Sequence, residues 1–582
     1  MNVSQSSSII QGINYQWIAP VLQKELVNSL SASYNFSIPL MQTLVNRGID
    51  KKELLDSFLF TPEGIVAPSS LLKDADKAVD RIIVALKNKE KILIAGDYDV
   101  DGITSTSMMM LCLVPLGAQV NYFLPHRVHD GYGLSTKVVG RAAGNNYKVI
   151  LTVDNGITAY DAAALAKKCQ IDLIITDHHR PQDPIPEAFA IVNPAQSDCS
   201  YPFKLLAGVG VAFKLLSLLY EKLNKKLPDK VYELLLMGTV ADVVPLRGEN
   251  RYWVRHCLQK LTENESYSFN ALKKNAKIAE KPISSVDIAF GIAPQLNALG
   301  RLEDPRRGVQ FLIGARKPEI DQVARVLFEL NEARKEVERL ILNDIEQAIN
   351  AGQIDLENEN IILAASKKWP PGVIGLAASR LTAQYGKPTL LFHLTKDGFA
   401  KGSARSIPAF DLFNALRECS HLLEHFGGHA CAAGVALKVA NVPKLKALLE
   451  QKILEKLSPE DLVPQLKLDA HVHLADLTGK FMNDMQLMEP FGSMNETPVF
   501  YINDVTLIDE PILLKDQHVK CKIFSQGVIK PVIFFGQPEL FKIFSTLKDR
   551  PFDLAATVME NYWQGMRSIE LKGMDISLEG KK

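Results

Sequence analysis

From Asp74 onward the chain alternates between short apolar runs and longer amphipathic stretches. KILIAG (91–96), VNYFL (120–124), KVILTV (148–153), IDLIIT (171–176) and FAIVN (189–193) are apolar runs of strand length. Between them, residues 103–116, 135–146 and 158–169 carry apolar positions at helical spacing. Apolar strands separated by helices predict a parallel sheet covered on both faces. Helical patterning then continues to the neighbourhood of residue 350. Within 320–349, Val323, Leu327, Leu330, Val337, Ile341 and Ile345 fall on one side with charges opposite. That pattern predicts a long amphipathic helix joining two domains.

A second α/β unit begins near Asn360, with strand IILAAS (361–366), a helix over 373–384 and strand PTLLFHL (388–394). The Gly-rich FAKGSARS follows, then a helix from Ala409, then FGGHACAAG. Pro459 and Pro464 mark a linker. Beyond it, PVFYINDVTLI, HVKCKIF and KPVIFF alternate at the strand period and predict a small β-barrel. In the first 70 residues Trp17, Leu22, Leu26 and Leu30 sit near helical spacing, and Pro68 closes the segment, so a helical lead-in is expected. There is no internal repeat and no low-complexity segment.

Composition narrows the class. A chain of 582 residues implies several domains, and 47% apolar residues exclude a disordered chain. Lys+Arg and Asp+Glu are both 66, which excludes a protein coated in positive charge but not a local basic groove. The seven cysteines form no CxxC pair, so thiolate-rich zinc and a redox motif are not expected, and a reducing cytoplasm is. MNVSQSSSIIQG has neither a basic leader nor an apolar core, so no signal peptide is expected. The longest apolar run, residues 108–114, ends at Pro115 and is too short to span a bilayer, so no membrane partner is expected.

The chemistry lies at the strand ends. Asp97, Asp99 and Asp101 occupy GDYDVDG, directly after KILIAG. If the extended chain continues, the three carboxylates point the same way and repel one another unless a cation binds. Asp154 follows KVILTV, and Asp177, His178 and His179 follow IDLIIT. Ligands of open α/β sheets bind at that carboxyl edge. Asp242, in GTVADVVPL, is a further acid in an apolar segment and needs a cation if buried. A single Asp after a strand is more often a helix cap or turn residue than a ligand. Three strand ends that each finish in Asp, one with His-His added, favour a site. Oxygen ligands with an imidazole suit Mn²⁺ best and Mg²⁺ next. Four or more carboxylates suit two ions about 4 Å apart that share a bridging acid, the arrangement that hydrolyses phosphoesters.

These motifs resemble the DHH phosphoesterase superfamily, named for Asp-His-His, and within it the bacterial exonucleases that digest single-stranded DNA. GDYDVDGITS, PHRVHDGYGLS, TVDNGI, TDHH, ADVVPL, QLNALGRL, PPGVIGLAASRL, KGSARS, FGGHACAAG and MEPFGSMNETPVF occur in the family's order, from residue 75 or so to the C-terminus. The resemblance implies a parallel-sheet DHH domain (71–318) after a helical segment (1–70). A connecting long helix (319–352), a smaller α/β DHH-associated domain (353–457) and an OB-like nucleic-acid-binding domain (458–582) would follow. Asp97, Asp99, Asp101, Asp154, His178 and Asp242 would hold the metals, with Asp154 bridging. Asp177 would support the histidines, and His179 would contact the scissile phosphate. Arg127, Ser403 and Arg405 would hold a terminal 5′ phosphate, Tyr132 would stack on a base, and Asn297 and Arg301 would line the cleft. His429 would bind phosphate near the metals. The implied activity is 5′-to-3′ hydrolysis of single-stranded DNA to mononucleotides, by a monomer that works in repair and recombination, with a helicase or single-strand-binding protein as partner. Two departures are visible: Leu299 stands where a small residue is common, and Glu496 where proline is usual.

Other readings stay open at this point. KGSARS and FGGHACAAG can be a surface strand and a tight turn. Lys515, Lys520, Lys522, Lys530 and Lys542 with Phe524, Phe534 and Phe535 fit a base-stacking platform or an ordinary β core under solvated lysines. Lys273, Lys274, Lys277 and Lys281 fit a solvated helix face better than a DNA contact. The same fold could act on short oligoribonucleotides or cyclic dinucleotides, or survive as a non-catalytic DNA-binding scaffold. A scaffold should have lost metal-site acids, and none is missing.

Overall fold

The structure is a computed structural model that describes residues 8–126, 131–261, 265–279, 281–314, 316–547, 549–563 and 566–579. Two strands, β1 (Ile9–Gln11) and β2 (Gln16–Ile18), open the chain, before helices α1 (Lys24–Tyr34), α2 (Ile38–Asn46) and α3 (Lys52–Phe60). The expectation of helical packing around Trp17 was wrong. Trp17 sits in β2, fully buried, and its indole Nε1 donates to Asp575 Oδ2 at 2.9 Å. The strand exists because β13 (Gln465–Lys467) pairs with it in parallel, a partner no local pattern reveals.

The first α/β unit runs α4 (Ala75–Asn88), β3 (Lys91–Ala95), α5 (Val100–Leu113), β4 (Gln119–Phe123), α6 (Thr136–Gly144), β5 (Tyr147–Val153), α7 (Tyr160–Lys168), β6 (Asp172–Thr176) and β7 (Ala190–Val192). The five strands form one parallel sheet in the order β4-β3-β5-β6-β7. Strand alternation splits their apolar residues between two cores. Ile92, Ile94, Val149, Leu151 and Ile174 pack on one face with α4 and α5, and with α8 (Gly208–Lys222) and α9 (Lys230–Ala241). Leu93, Ala95, Ile150, Leu173 and Ile175 pack on the other with Val138 and Val139 of α6 and Ala162, Ala163 and Ala166 of α7. The chain leaves β3 toward β4 on one side and reaches β5 on the other, so β3/β5 is the topological switch point where a ligand cleft opens.

Helices α10 (Gly248–Leu261), α11 (Tyr267–Asn275), α12 (Ser285–Asp287), a π-helical turn (Ile288–Ile292), α13 (Ala293–Leu302) and α14 (Arg306–Ile313) complete this unit. Leu299 is fully buried in α13, within the first core. Residues 488–496, from MEPFGSMNE, dock on it: Leu246 N–H donates to Ser493 O, Arg251 Nη1 to Met488 O and Ser285 Oγ to Phe491 O. Glu496 closes that loop by accepting the Met494 N–H.

Helix α15 (Lys317–Asn350) spans 34 residues and passes from this unit into the other at Arg334/Lys335. The other unit has β8 (Ile362–Ser366), α16 (Ile374–Tyr385), β9 (Thr389–Leu394), β10 (Phe399–Arg405), α17 (Leu412–Glu418), β11 (Leu423–His429), β12 (Ala432–Lys438) and α18 (Val442–Lys456), with sheet order β11-β12-β10-β9-β8. KGSARS is therefore an interior strand, and FGGHACAAG is a hairpin rather than a lone turn. After β13 come β14 (Ala470–His471), α19 (Gly479–Gln486), β15 (Phe500–Leu507), β16 (Ile512–Leu514), β17 (His518–Ser525), β18 (Val528–Phe535), α20 (Glu539–Leu547), β19 (Phe552–Trp563) and β20 (Met566–Ser577). Strands β15, β19, β20, β18 and β17 pair in sequence, and β17 returns to β15, closing a ring. Most of the C-terminal lysines named from sequence are already committed: Lys520 to Glu570, Lys522 to Asp509 and Lys530 Nζ to Leu477 O. Phe534 is core, whereas Phe524 and Phe535 are exposed. No helix among the described residues is long and apolar enough to cross a membrane.

Candidate metal centre

The three acids of GDYDVDG do not lie along one extended strand, as the sequence pattern suggested. The chain turns into α5 at once. Asp99 is the N-cap, with its carboxylate accepting the Gly102 N–H at 3.1 Å, and Asp101 already lies in the helix. Gly102 allows the turn: a Cβ there would lie 2.4 Å from Asp97 O. Asp101 is fully buried and accepts Gly208 N–H and Val209 N–H, both at 2.7 Å, at the N-terminus of α8. Those amides and the helix dipole hold a negative charge in place.

Asp154 follows β5 in a left-handed conformation, φ 60°, and Val243, beside Asp242 at the end of α9, has φ 61°. A β-branched residue in that region is strained, and such strain gathers where side chains must be aimed. Asp177 binds four groups around the second histidine. Its Oδ1 accepts His178 N–H (2.7 Å), His179 N–H (3.1 Å) and His179 Nδ1 (2.7 Å), and its Oδ2 accepts Ile157 N–H (2.9 Å). Helix α13 presents Asn297, which accepts the Val100 N–H at 3.2 Å, and Arg301. A 360 Å³ cavity is lined by Asp97, Tyr98, Asp99, Tyr132, Asp154, His179, Asp242, Asn297 and Arg301. The Tyr132 hydroxyl donates to Asp154 O at 3.3 Å, and its ring meets Tyr98 and His179 edge-on.

Ligating atoms gather in three overlapping groups, Asp97–Asp99–Asp154, Asp101–His178–Asp242 and Asp154–His178–His179, each within 4.8 Å. Asp154 and His178 each belong to two of them. Burial and the neighbouring Asp101 and Asp99 charges push the Asp154 and Asp242 carboxyls far above the usual range, and burial lifts Asp101 to about 7. Burial and the adjacent His179 bring His178 down to about 4, so its ring is neutral at pH 7. His178 Nε2 lies 3.2 Å from Asp154 Oδ1 and 3.5 Å from Asp242 Oδ2. These three atoms are buried, and none has a hydrogen-bond partner among the described residues. A neutral nitrogen lone pair beside unpaired carboxylate oxygens is costly unless a cation sits among them. The donor set, acidic oxygens with one imidazole, fits hard or borderline divalent ions.

A stability test follows from the sign of these shifts. A carboxyl with a raised pKa keeps its proton in the fold at a pH where the unfolded chain has lost it. Without metal, stability therefore falls as pH rises above the ordinary carboxylate range. Asp242→Asn should raise the metal-free melting temperature at neutral pH by about 2–4 °C and abolish the further rise that Mn²⁺ gives the wild type. Thermal denaturation with EDTA and with Mn²⁺ measures both.

Arg127 lies outside the described residues. Ser403, Arg405 and His429 lie in the other compact unit. On its sheet Arg405, Ala432 and His429 form one cross-strand row, and Ser403, Gly434 and Gly427 the next. No atom lies within 4 Å of where a Cβ on Gly427 would stand, and only Gly427 O approaches one on Gly434, so the shelf is open. Arg405 Nε donates to Ser379 Oγ (3.0 Å) and Nη1 to Ser403 Oγ (2.9 Å), beside Gly375 near the start of α16. The sequence reading missed Tyr98, although it stands between two of the chosen acids. It also missed the Gly208 and Val209 amides, for which GVGVA at a helix start was the available signal.

A parallel sheet whose switch point carries this acid and histidine cage defines a DHH phosphoesterase. Models of the DHH family N-terminal domain, the DHHA1 domain and the RecJ OB domain match residues 91–239, 358–455 and 468–575. The chain belongs to the RecJ family. It is 35% identical over 530 residues to the single-stranded-DNA-specific exonuclease RecJ of Bacillus subtilis, covering 90% of this chain and 66% of that protein. It is 32% identical over 483 residues to that of Escherichia coli, covering 79% and 83%. Crystal structures of Thermus thermophilus RecJ superpose over 96% of this chain, with Mn²⁺ at TM-score 0.80 (26% identity, 79% of that chain) and with Mg²⁺ at 0.74 (25% identity, 78%).

Proposed function

We propose that this chain is a two-metal exonuclease that degrades single-stranded DNA from the 5′ end to mononucleotides, in repair and recombination. The observation that carries the reading is the convergence of Asp154 Oδ1, His178 Nε2 and Asp242 Oδ2 as buried, unpartnered atoms. In this reading Asp97, Asp99 and Asp154 would hold one divalent ion and Asp101, His178 and Asp242 the other, with Asp154 belonging to two of the ligand groups. When bound, the two ions lower the pKa of water and neutralise charge at the phosphate. Asp177 fixes the His179 Nδ1–H, which presents Nε2 to the cavity as donor to a phosphoryl oxygen when the ring is protonated. Tyr132, 50% exposed, offers a ring face to a base, and Asn297 and Arg301 bound the cavity beside it.

The 5′ polarity is assigned to an anion grip by Ser403 and Arg405, with His429 at the edge of the same open shelf. Arg405→Ala should raise KM for 5′-phosphorylated strands by about 10–100-fold and change KM for 5′-hydroxyl strands little. Equal losses on the two substrates would remove Arg405 from phosphate binding. We place the enzyme in the cytoplasm, a reading supported by seven unpaired cysteines, and take it as a monomer that works with a helicase or single-strand-binding protein. The test of function is digestion of 5′-labelled single-stranded and blunt duplex DNA with Mn²⁺ or Mg²⁺. Release of labelled mononucleotide from the single strand alone is expected, and equal digestion of both would overturn the proposed specificity.

A further inference from the structure

The basic run Lys273–Lys281 is not uniform. Lys273 is buried against Glu265, and Lys281 pairs with Asp287. Lys274 and Lys277 are exposed and have no carboxylate partner among the described residues. Arg325, from the first third of α15, joins them across a 750 Å³ open groove floored by α11 and α15. Phe328 and Tyr267 line the same groove and are 40% and 38% exposed. The one acid in it, Asp321, accepts the Tyr267 hydroxyl at 2.9 Å. Three cations and two aromatic rings thus meet from helices some fifty residues apart in sequence.

One helix links the groove wall to the metal cavity. The π-helical turn packs on the residues flanking Lys277: a Cβ on Gly291 would lie 3.3 Å from Ala276 Cβ and 3.5 Å from Ile278 Cδ1. That turn carries Phe290, 80% exposed, and runs straight into α13, whose Asn297 and Arg301 line the metal cavity. Asn275 at the end of α11 also bonds Gln295 of α13. A ten-residue helix spans about 15 Å, so α13 links Phe290, beside the groove, to Arg301 at the cavity. Exposed aromatics beside cations are what an extended single strand needs, with phosphates on the cations and bases on the rings.

We propose that this groove binds the undigested part of the single-stranded substrate, a second DNA contact outside the metal site; the proposal rests on the single-strand exonuclease reading. The substrate is a better occupant than an acidic peptide. Once one end is engaged, the rest of the strand is tethered nearby at a high effective concentration, which a free partner does not have.

The test compares wild type with Lys274→Gln/Lys277→Gln/Arg325→Gln and with Phe328→Ala. Binding of a long oligonucleotide and a trinucleotide is followed by fluorescence anisotropy in EDTA, and their hydrolysis with Mn²⁺. The triple variant should bind the long strand about tenfold more weakly, with a salt slope shallower by about 2. Phe328→Ala should weaken binding by about fivefold or more. Trinucleotide hydrolysis and the melting temperature should be unchanged. Long-strand affinity and salt slope equal to wild type would overturn the proposal, as would an equal loss on the trinucleotide. Retained DNA binding with lost binding of an acidic peptide would overturn it in favour of protein docking. If wild type digests neither substrate, the exonuclease reading fails instead, and the EDTA binding data still report on the groove.

Discussion

Asp154→Ala should lower single-strand hydrolysis by about 10³-fold or more while leaving DNA affinity in EDTA within about twofold. Asp154 is the acid common to two ligand groups, it is held in a left-handed backbone conformation at the end of β5, and its carboxyl oxygen lies 3.2 Å from His178 Nε2. Removing it takes a ligand from both proposed ion positions at once. The proposed phosphate grip of Ser403 and Arg405 and the proposed groove around Lys274 and Arg325 are untouched, so binding should persist. The variant should also fold well, because a repelling buried charge has gone. Hydrolysis within about tenfold of wild type would remove Asp154 from the centre of the site.

The second large effect comes from a residue with no chemistry of its own. Gly208→Ala should cost about 10²-fold in kcat with little change in KM. A Cβ on Gly208 would lie 2.7 Å from both Asp154 Cβ and Asp154 Oδ1. Gly208 also opens α8, and its N–H together with that of Val209 holds the Asp101 carboxylate. The added methyl has to displace Asp154, Asp101 or both by a sizeable fraction of an ångström. Weaker Mn²⁺ binding with an unchanged far-ultraviolet spectrum should accompany the loss. Wild-type turnover and Mn²⁺ affinity in this variant would mean that the acids tolerate displacement and that the cage is not tightly shaped.

The strands that build the site were legible because they are local. KVILTV and IDLIIT declare themselves by composition, and the acids that end them fall at the carboxyl edge of the sheet. The geometry of GDYDVDG was misread because the helix begins one residue after Asp99, and the Asp99–Gly102 cap was hidden inside an apparent every-second-residue pattern. Trp17 was assigned to a helix because its strand partner lies more than 400 residues away, at Leu466. The C-terminal lysines looked free because Glu570 and Asp509 reach them from other parts of the chain. The Gly208 and Val209 donors are backbone amides, and only GVGVA at a helix start points to them. Apart from that local cap, the missing information was a long-range partner, which periodicity does not encode.

The proposed centre requires that acids from three separate segments, with His178 from a fourth, enclose a pair of divalent cations. Crystals grown with Mn²⁺ and measured at the manganese edge test it directly. The account predicts two anomalous peaks about 4 Å apart, one beside Asp97 and Asp99, one beside Asp101, His178 and Asp242, with Asp154 between them. No peak in that cavity, or Mn²⁺ bound only elsewhere on the surface, would contradict it.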